Sequence, residues 1–514
     1  MNRKPDLPSL LLFTALLFGI IVRFYPAIAS GFPLNDGGMF YVMTRELMAN
    51  GFALPDFTAY NNAGIPFAYP PLGFYASALL SALTPGSDLW VFLYLPAFVA
   101  SLLIPAVYLF AKEASSSRTT AAFAALVYAL NPISFQWPLM GGGITRSFGL
   151  LFMILFFWQT IRLFSEYRPR HLILAVLFGA ATVTSHPQTG YHAALGGLIL
   201  FLFYGRSKRG LFSAILLGLG VALFSAPWWV IVLQKHGFET ILSAGGTSQR
   251  TFEFYRIVLD LHLPTNPLTL PFLILFYLGL FVSFRERKFL YVFWILAAYL
   301  SDPRGGGAIA VLSESILAGL GILQVSVWMN LQKTEPAPSP GVRRGGFVIA
   351  AVLFLWFLAG AVVADFRLVN TSMKAGDLEL VEWVNENTGM GATFALATGR
   401  EFSMTDPRQE WFPALTGRTS LTTLQGKEWT LGKEFFPWFK ELVAFQKCPA
   451  AACLTEWSRR NQVEYDYLIV IIPEEAAADE LSNSLRSLGR SVHGSDSYTL
   501  VFENDHGLIF EFIK

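Results

Sequence analysis

The residues best suited to chemistry lie in a polar segment that follows the first long apolar stretch. Asp36 stands just past the end of that stretch with two glycines after it, in the sequence NDGGMFYVMTRELMANG. Residues 39–48 then place apolar side chains at helical spacing, and Gly51 suits the end of such a helix. A carboxylate here can accept a proton from a hydroxyl or bind a divalent ion. The alternative is that Asp36 only caps the helix.

Basic side chains in other polar loops are candidates for binding an anion. They are Arg146 in GGGITR, His186 in SHPQTGYH, Arg250 and Arg256 in one long loop, and Arg304 in DPRGGG. Arg304 precedes three glycines, whose backbone N–H groups could cradle an anion beside the guanidinium. The alternative for Arg304 is a turn with an ion-paired or snorkelling arginine.

Two histidines, and two ionisable residues inside predicted spans, have weaker signals. His186 and His192 are six residues apart and do not share a helical face as an i, i+4 pair does, so structural roles are expected. His186 remains a candidate ligand because it ends an apolar stretch. Arg23 is expected to snorkel from the end of its apolar stretch, and Glu314 to line a polar cavity.

The composition identifies the elements that must position these residues as membrane helices. The 514 residues are 54% apolar and 14% charged, against about 25% charged in soluble domains. A net charge of +1 gives no support to a nucleic-acid partner. Two cysteines exclude a disulfide-rich scaffold and a multi-cysteine zinc site.

Apolar stretches fill most of residues 1–366. Several are shorter than the roughly 20 residues that a span needs, so tilted or broken helices are predicted. Eleven crossings are predicted, at 8–28, 88–111, 119–137, 147–164, 171–185, 190–204, 211–233, 268–284, 289–300, 308–329 and 347–364. Residues 67–83 are predicted to form a short helix that dips in from the outer face. The predicted fold is a polytopic α-helical membrane protein with about 11–13 transmembrane helices.

Lysines and arginines predict the orientation, because basic residues of short loops stay in the cytoplasm. With these spans, the basic clusters fall on one side of the membrane. The N-terminus is therefore predicted to be cytoplasmic and the C-terminal part extracytoplasmic, in a multi-pass protein of the plasma membrane. The first outer loop, residues 30–66, then carries Asp36.

Residues 367–514 have the composition of an extracytoplasmic α/β domain. Predicted helices are 378–387 and 477–488, and predicted strands are 392–397, 467–472, 498–503 and 508–513, with a hairpin turn at 504–507. Cys448 and Cys453 either form a disulfide or remain free thiols. Residues 410–429 mix aromatic and basic side chains, which suits either sugar stacking or an ordinary core.

The first loop resembles a motif of the GT-C glycosyltransferases, which use polyprenyl-phosphate sugars. The matching residues are Asp36, Tyr41, Glu46, Gly51 and Pro55, then Pro70, Pro71, Leu72 and Tyr75. The sequence is most similar to the group of aminoarabinose transferases, protein O-mannosyltransferases and oligosaccharyltransferase catalytic subunits. It departs from that group at Gly37, where an acidic residue is usual, and at Tyr69, where a basic residue is usual.

The resemblance implies inverting sugar transfer at the outer surface, with Asp36 as general base or as ligand of a divalent cation (Mg, Mn or Zn). Implied metal ligands are Asp36, Glu46 and Asp56, the last two as candidates for the missing second carboxylate. Residues proposed to bind substrate are Tyr41, Glu46, Tyr69, Arg146, His186, Arg256 and Arg304. The implied partners are a polyprenyl-phosphate sugar, the lipid bilayer and an acceptor that is a protein, lipid or glycan.

Two other function classes remain open. The number of spans and Glu314 would suit a transporter or lipid flippase, and Gly37 with Tyr69 would suit a catalytically inactive binding subunit. The sequence contains no P-loop, strand-associated GxGxxG, GxSxG or HExxH motif, so a nucleotide-driven pump or a soluble-type hydrolase has no support.

Overall fold

The computed structural model describes residues 6–84, 86, 88–246, 267–303, 305–329, 340–473 and 479–513. Within these ranges a large helical body is followed by a C-terminal domain with a five-stranded sheet. The predicted class, a polytopic helical membrane protein with a C-terminal α/β domain, is confirmed.

The helical body contains fourteen described α-helices and one small hairpin. The helices are α1 (Leu7–Ser30), α2 (Gly38–Ala49), α3 (Leu72–Leu83), α4 (Asp88–Ser115), α5 (Arg118–Leu130), α6 (Gln136–Leu139), α7 (Gly143–Glu166), α8 (Pro169–Ser185), α9 (Pro187–Tyr204), α10 (Lys208–Gly246), α11 (Leu270–Arg285), α12 (Leu290–Ser301), α13 (Gly307–Trp328) and α14 (Pro340–Val369). Strands β1 (Phe57–Thr58) and β2 (Ile65–Pro66) pair in the first loop.

Each of the eleven stretches predicted as spans contains a helix. Six of the described helices are long and apolar enough to cross a bilayer, namely α1, α4, α7, α10, α13 and α14. Helix α3 has 12 residues, about 18 Å at 1.5 Å per residue against a bilayer core of about 30 Å. The predicted crossing α12 has the same length, so length alone does not separate the two. The side of the membrane on which each loop lies stays a prediction.

One predicted span is interrupted. The stretch 119–137 forms α5 only as far as Leu130, and Asn131 then has φ −79° and ψ 120°. The reason is Pro132, whose ring disfavours the helical conformation in the residue before it. The chain therefore turns early and brings Trp137 towards the first loop.

Arg23 does not snorkel as expected but is fully buried in the helical body. Its guanidinium donates hydrogen bonds to the carbonyls of Gly19, Ala100 and Ala129 at 3.1, 3.1 and 2.8 Å. Arg23 therefore joins α1 to α4 and α5. Glu314 is also buried and accepts a hydrogen bond from Tyr299 at 3.4 Å.

The C-terminal domain wraps helices around a mixed sheet. Its elements are α15 (Ala375–Asn387), β3 (Thr393–Ala397), α16 (Pro407–Thr416), β4 (Thr419–Ser420), α17 (Phe435–Gln446), α18 (Ala451–Asn461), β5 (Tyr467–Ile471), α19 (Glu480–His493), β6 (Tyr498–Asn504) and β7 (Gly507–Phe512). The strand order is β4-β3-β5-β7-β6, with β3 parallel to β4 and β5, and β7 antiparallel to β5 and β6.

The predicted elements of this domain agree closely with those observed. All four predicted strands and the turn at 504–507 are present, and the helices at 378–387 and 477–488 correspond to α15 and α19. Residues 477 and 478 lie outside the described ranges. Strand β4 has two residues, too few for a periodic signal. The boundary predicted between residues 366 and 367 falls in the last turn of α14.

Cys448, in the turn after α17, forms a disulfide with Cys453 in the first turn of α18. We expect the double substitution Cys448→Ala and Cys453→Ala to reduce the free energy of unfolding by about 2 kcal/mol, because the bridge closes a short loop. Thermal unfolding of the full chain in detergent, with and without reductant, measures this. Reductant should lower the melting temperature of the wild type but leave that of the double variant unchanged, and equal melting temperatures for both proteins would contradict the prediction.

Candidate active site

Asp36 lies in a sharp chain reversal between α1 and α2. On either side, Asn35 and Gly37 have φ angles of 56° and 121°. The Gly141 N–H donates to the Leu34 carbonyl at 2.7 Å, and a Cβ on Gly37 would lie 2.8 Å from the Gly141 backbone. Only glycine suits such an approach at this φ. Close backbone contact, instead of a second carboxylate, therefore accounts for the departure from the motif at Gly37.

An ion pair with Arg146 holds the Asp36 carboxylate. Arg146 Nη2 lies 2.5 Å from Asp36 Oδ2, and the Gly142 N–H donates to Oδ1 at 3.1 Å. A Cβ on Gly142 would lie 2.1 Å from Arg146 Nη2, so this glycine lets the start of α7 reach the loop. The Arg146 side chain is 7% exposed and that of Asp36 is 21% exposed. Asp36 is thus oriented by α7 while part of its carboxylate stays accessible.

A cluster of aromatic rings begins at the guanidinium of Arg146. Arg146 lies over the Trp137 ring at 5.0 Å, and the His186 ring is 5.7 Å from Trp137 and 6.1 Å from Tyr69. The Tyr69 hydroxyl makes a hydrogen bond with Thr145, and burial raises the pKa of this phenol. Tyr69 therefore stands where the motif has a basic residue, as a neutral hydroxyl. The structure brings together four predicted site residues: Asp36, Tyr69, Arg146 and His186.

His186 lies at the junction of α8 and α9 and is buried. Its Nδ1 accepts a hydrogen bond from the Thr189 N–H at 3.4 Å. Burial, with a further contribution from the positive charge of Arg146, lowers the pKa of His186 to about 3. The imidazole is therefore neutral at physiological pH and forms an uncharged wall of the site.

Asp302 and His192 form a separate polar cluster beyond His186. His192 Nε2 lies 3.1 Å from Asp302 Oδ2, and the Gln188 amide also donates to that oxygen. The other oxygen, Oδ1, accepts the Gly305 N–H at 3.0 Å. Both oxygens thus have partners, so His192 and Asp302 connect α9 to the turn before α13. Three predicted arginines lie outside the described residues: Arg250, Arg256 and Arg304.

Tyr41, on helix α2 of the first loop, is packed against α4 and the C-terminal domain. Its ring is 5.6 Å from Phe92 and 5.8 Å from Trp411, and the Arg45 guanidinium lies 5.6 Å from its centre. These contacts join α2, α4 and α16, away from the Asp36–Arg146 pair. A role for Tyr41 in binding substrate stays a prediction.

Glu46 and Asp56 do not join Asp36. Glu46 Oε1 accepts the Ala59 N–H at 2.6 Å, which holds the loop against α2, and Asp56 Oδ1 pairs with Lys235 Nζ of α10 at 2.5 Å. Glu46 is also two turns further along α2, about 12 Å from its start.

The donor set does not fit a metal site built by the protein. Across the described residues, no three His, Cys, Asp or Glu side chains converge on one point. A guanidinium and a backbone N–H already occupy the Asp36 oxygens, whereas Mg²⁺ and Ca²⁺ need several oxygen ligands. The divalent cation stays a prediction.

Glu410 of α16 is a residue that the sequence did not identify. Its Oε1 accepts hydrogen bonds from the Gly37 and Met39 N–H groups at 3.2 and 3.3 Å. Burial, together with the negative charge of Asp36, raises the pKa of Glu410 to about 8. A second carboxyl group thus lies beside Asp36 after all, contributed by the C-terminal domain. No local signal marks it, because the contact joins residues 373 positions apart.

An apolar groove of about 640 Å³ lies beside α3. It runs between the start of α3 and the middle of α10, and its lining includes Pro71, Tyr75, Phe224, Trp228 and Lys235. Gly73, which follows the lining residue Leu72, lies so close to the Ile144 carbonyl that a Cβ would be 2.2 Å from it, so α3 packs against the first turn of α7 near this end of the groove. Arg146 lies in the same turn.

Comparison with known proteins identifies the fold. A family model described as a 6-pyruvoyl-tetrahydropterin synthase related domain, a membrane protein, matches residues 68–285, less than half of the chain. None of the curated proteins matches the sequence.

Solved structures give matches over nearly the whole chain. ArnT from Cupriavidus metallidurans bound to undecaprenyl phosphate superposes with a TM-score of 0.57 and 14% identity, over 97% of each chain. Its apo state gives the same values. The arabinofuranosyltransferase AftD from Mycobacteria superposes with a TM-score of 0.53 and 16% identity, over 98% of this chain and 40% of AftD.

Proposed function

We propose that this chain, which has the GT-C membrane glycosyltransferase fold, transfers a sugar from a polyprenyl-phosphate donor to an acceptor hydroxyl. The observation that carries the proposal is the Asp36–Arg146 pair, with the carboxylate 21% exposed and the guanidinium 7% exposed. It joins an accessible base to a buried, permanently charged cation next to an apolar groove. A base for the acceptor and a cation for the leaving phosphate are the two groups that such a transfer needs.

The reaction can be written with this chain's own residues. The acceptor oxygen attacks the anomeric carbon of the sugar, and Asp36 takes the proton of that hydroxyl. The bond between the anomeric carbon and the phosphate oxygen breaks, and the phosphate keeps the electron pair. Arg146 stabilises the charge that grows on the phosphate, because guanidinium binds phosphate oxygens in a bidentate manner. The new glycosidic bond has the opposite anomeric configuration.

The groove supports a lipid-linked donor. Its lining is mostly apolar, as an isoprenoid chain requires, and its volume of about 640 Å³ is large enough to hold part of such a chain. Because α3, which lines one end of the groove, packs against the first turn of α7, a chain lying in the groove would place its phosphate towards Arg146. ArnT, the similar structure, was determined with undecaprenyl phosphate bound. The orientation predicted from the basic residues would place this reaction on the extracytoplasmic side.

The test is the release of polyprenyl phosphate. Purified protein in lipid nanodiscs is incubated with radiolabelled undecaprenyl-phosphate sugars and a mixture of candidate acceptors, and free undecaprenyl phosphate is separated by thin-layer chromatography. We expect time-dependent release that needs both protein and acceptor. Movement of intact donor across vesicle membranes without release would indicate a flippase, and binding of the donor without release or movement would indicate an inactive binding subunit.

A further inference from the structure

One segment of the C-terminal domain, residues 405–411, packs against the first loop. Trp411 is fully buried there, and its Nε1 donates to the Asn35 carbonyl at 3.0 Å. The Asn35 amide in turn donates to the Thr405 carbonyl at 3.0 Å, and the Tyr60 hydroxyl donates to the Glu410 carbonyl at 2.7 Å. The two residues that flank Asp36 along the chain are therefore bonded to the C-terminal domain, Asn35 through these contacts and Gly37 through Glu410.

Glu410 makes the contact nearest to the chemistry. It is 1% exposed, and its Oε1 accepts the N–H groups of Gly37 and Met39. Helix α2 has no side chain of its own that caps its start, because its N-cap residue is Gly37. Free N–H groups at a helix start need an acceptor. Glu410 supplies it from a position 373 residues further along the chain.

The start of α2 packs so tightly on α16 that its backbone has little room to move. A Cβ on Gly38 would lie 2.3 Å from the Glu410 carbonyl oxygen, so the start of α2 lies directly on α16. The Gly37 N–H belongs to the peptide group that follows Asp36, so holding it fixes the direction in which the Asp36 side chain leaves the backbone. Through Asp36 the constraint reaches Arg146, whose Nη2 is 2.5 Å from the carboxylate.

We propose that Glu410 is a positioning residue for the transfer reaction: it accepts the Gly37 and Met39 N–H groups and thereby aims Asp36 at Arg146, so that the C-terminal domain is part of the catalytic centre. This inference rests on the proposed function. It assigns the second carboxyl group of the site to α16 and not to the first loop.

The ionisation of Glu410 predicts a pH dependence of the rate that tests the positioning role. Burial first, and then the negative charge of Asp36, raise the pKa of Glu410 to about 8, and Glu428 also opposes its ionisation. The uncharged groups bonded to its Oε1 are the Gly37 and Met39 N–H groups, whereas the Tyr60 hydroxyl bonds to the Glu410 backbone carbonyl. Glu410 is thus mostly neutral at pH 7 and becomes negative as the pH rises through about 8. A negative charge there repels Asp36, so the wild-type rate should fall with this ionisation.

The experiment compares Glu410→Ala, Glu410→Gln and the control Asp406→Ala. Asp406 caps the same helix α16 by accepting the Arg408 N–H at 3.1 Å, so its loss weakens the helix without touching Gly37 or Met39. We expect Glu410→Ala to lower kcat for release of undecaprenyl phosphate by about 100-fold, because small misplacements of a catalytic group cost that much. Glu410→Gln keeps an acceptor oxygen and should retain kcat at pH 7 without the fall above pH 8. Asp406→Ala should lower the melting temperature but leave kcat unchanged.

A second measurement keeps the inference separate from the proposed function. Hydrogen exchange of a peptide that covers residues 37–41 should be faster in Glu410→Ala than in either the wild type or Asp406→Ala. If the wild type releases no undecaprenyl phosphate, the proposed function fails and the exchange rates alone test the positioning role. Wild-type exchange in Glu410→Ala, wild-type kcat in that variant of an active enzyme, or an unchanged alkaline fall in Glu410→Gln would overturn the inference.

Discussion

Replacing Asp36 with asparagine is expected to lower the rate of polyprenyl-phosphate release by about 10²- to 10⁴-fold, the usual contribution of a general base. The amide has nearly the same shape as the carboxylate and can still accept the Gly142 N–H that lies 3.1 Å from Oδ1. It cannot accept a proton from the acceptor hydroxyl. The loss should therefore appear in kcat, with little change in the KM for the donor.

The matched control for Asp36 is Asp88→Asn. Asp88 is an aspartate at the start of α4 that pairs with Arg45 at 3.5 Å, with side chains 29% and 59% exposed. Exposed pairs of this kind contribute about 0 to 1 kcal/mol, so Asp88→Asn should keep both wild-type turnover and melting temperature. Turnover at the wild-type level in Asp36→Asn would show that Asp36 is not the base.

Arg146 is expected to give the second largest effect. Arg146→Ala removes the cation for the leaving phosphate and also the partner of Asp36, and we expect kcat to fall by about 10²- to 10³-fold, as when one group that stabilises a developing charge is lost. Arg146→Lys should recover only part of that loss, because an ammonium cannot bind in the bidentate way or stack on Trp137 as the guanidinium does, 5.0 Å above the ring. A lysine variant as active as the wild type would contradict the bidentate role.

Arg162→Ala is the control for Arg146, because it changes the same residue type on the same helix. Arg162 pairs with Glu166 one turn away, at 2.7 Å and with both side chains partly exposed. Its loss should leave release of undecaprenyl phosphate unchanged. A donor titration separates two contributions of Arg146: weaker ground-state binding of the phosphate raises KM, whereas lost stabilisation of the leaving group lowers kcat.

The sequence by itself determined most elements of this protein, although the helices α16, α17 and α18 and the strand β4 were not predicted. Apolar runs and alternating patterns are local properties of the chain, and each of the eleven predicted spans and four predicted strands corresponds to an observed element. The one interruption, at Asn131 and Pro132, also has a local cause. Asp36 too was identifiable from the sequence, because its motif is contained in one loop and resembles that of a known superfamily.

What surrounds Asp36 was decided only by the tertiary structure. The carboxylates nearest in sequence, Glu46 and Asp56, bond elsewhere, to the Ala59 backbone and to Lys235. The groups that do reach the site come from α7 and α16. Arg146 is 110 residues after Asp36 in the sequence, and Glu410 is more than 370 residues after it. Local periodicity reports which face of an element is apolar, but not which distant element covers it. Helix packing and backbone contacts at glycines determine which elements meet. They place a buried carboxyl group of the C-terminal domain beside Asp36 of the first loop.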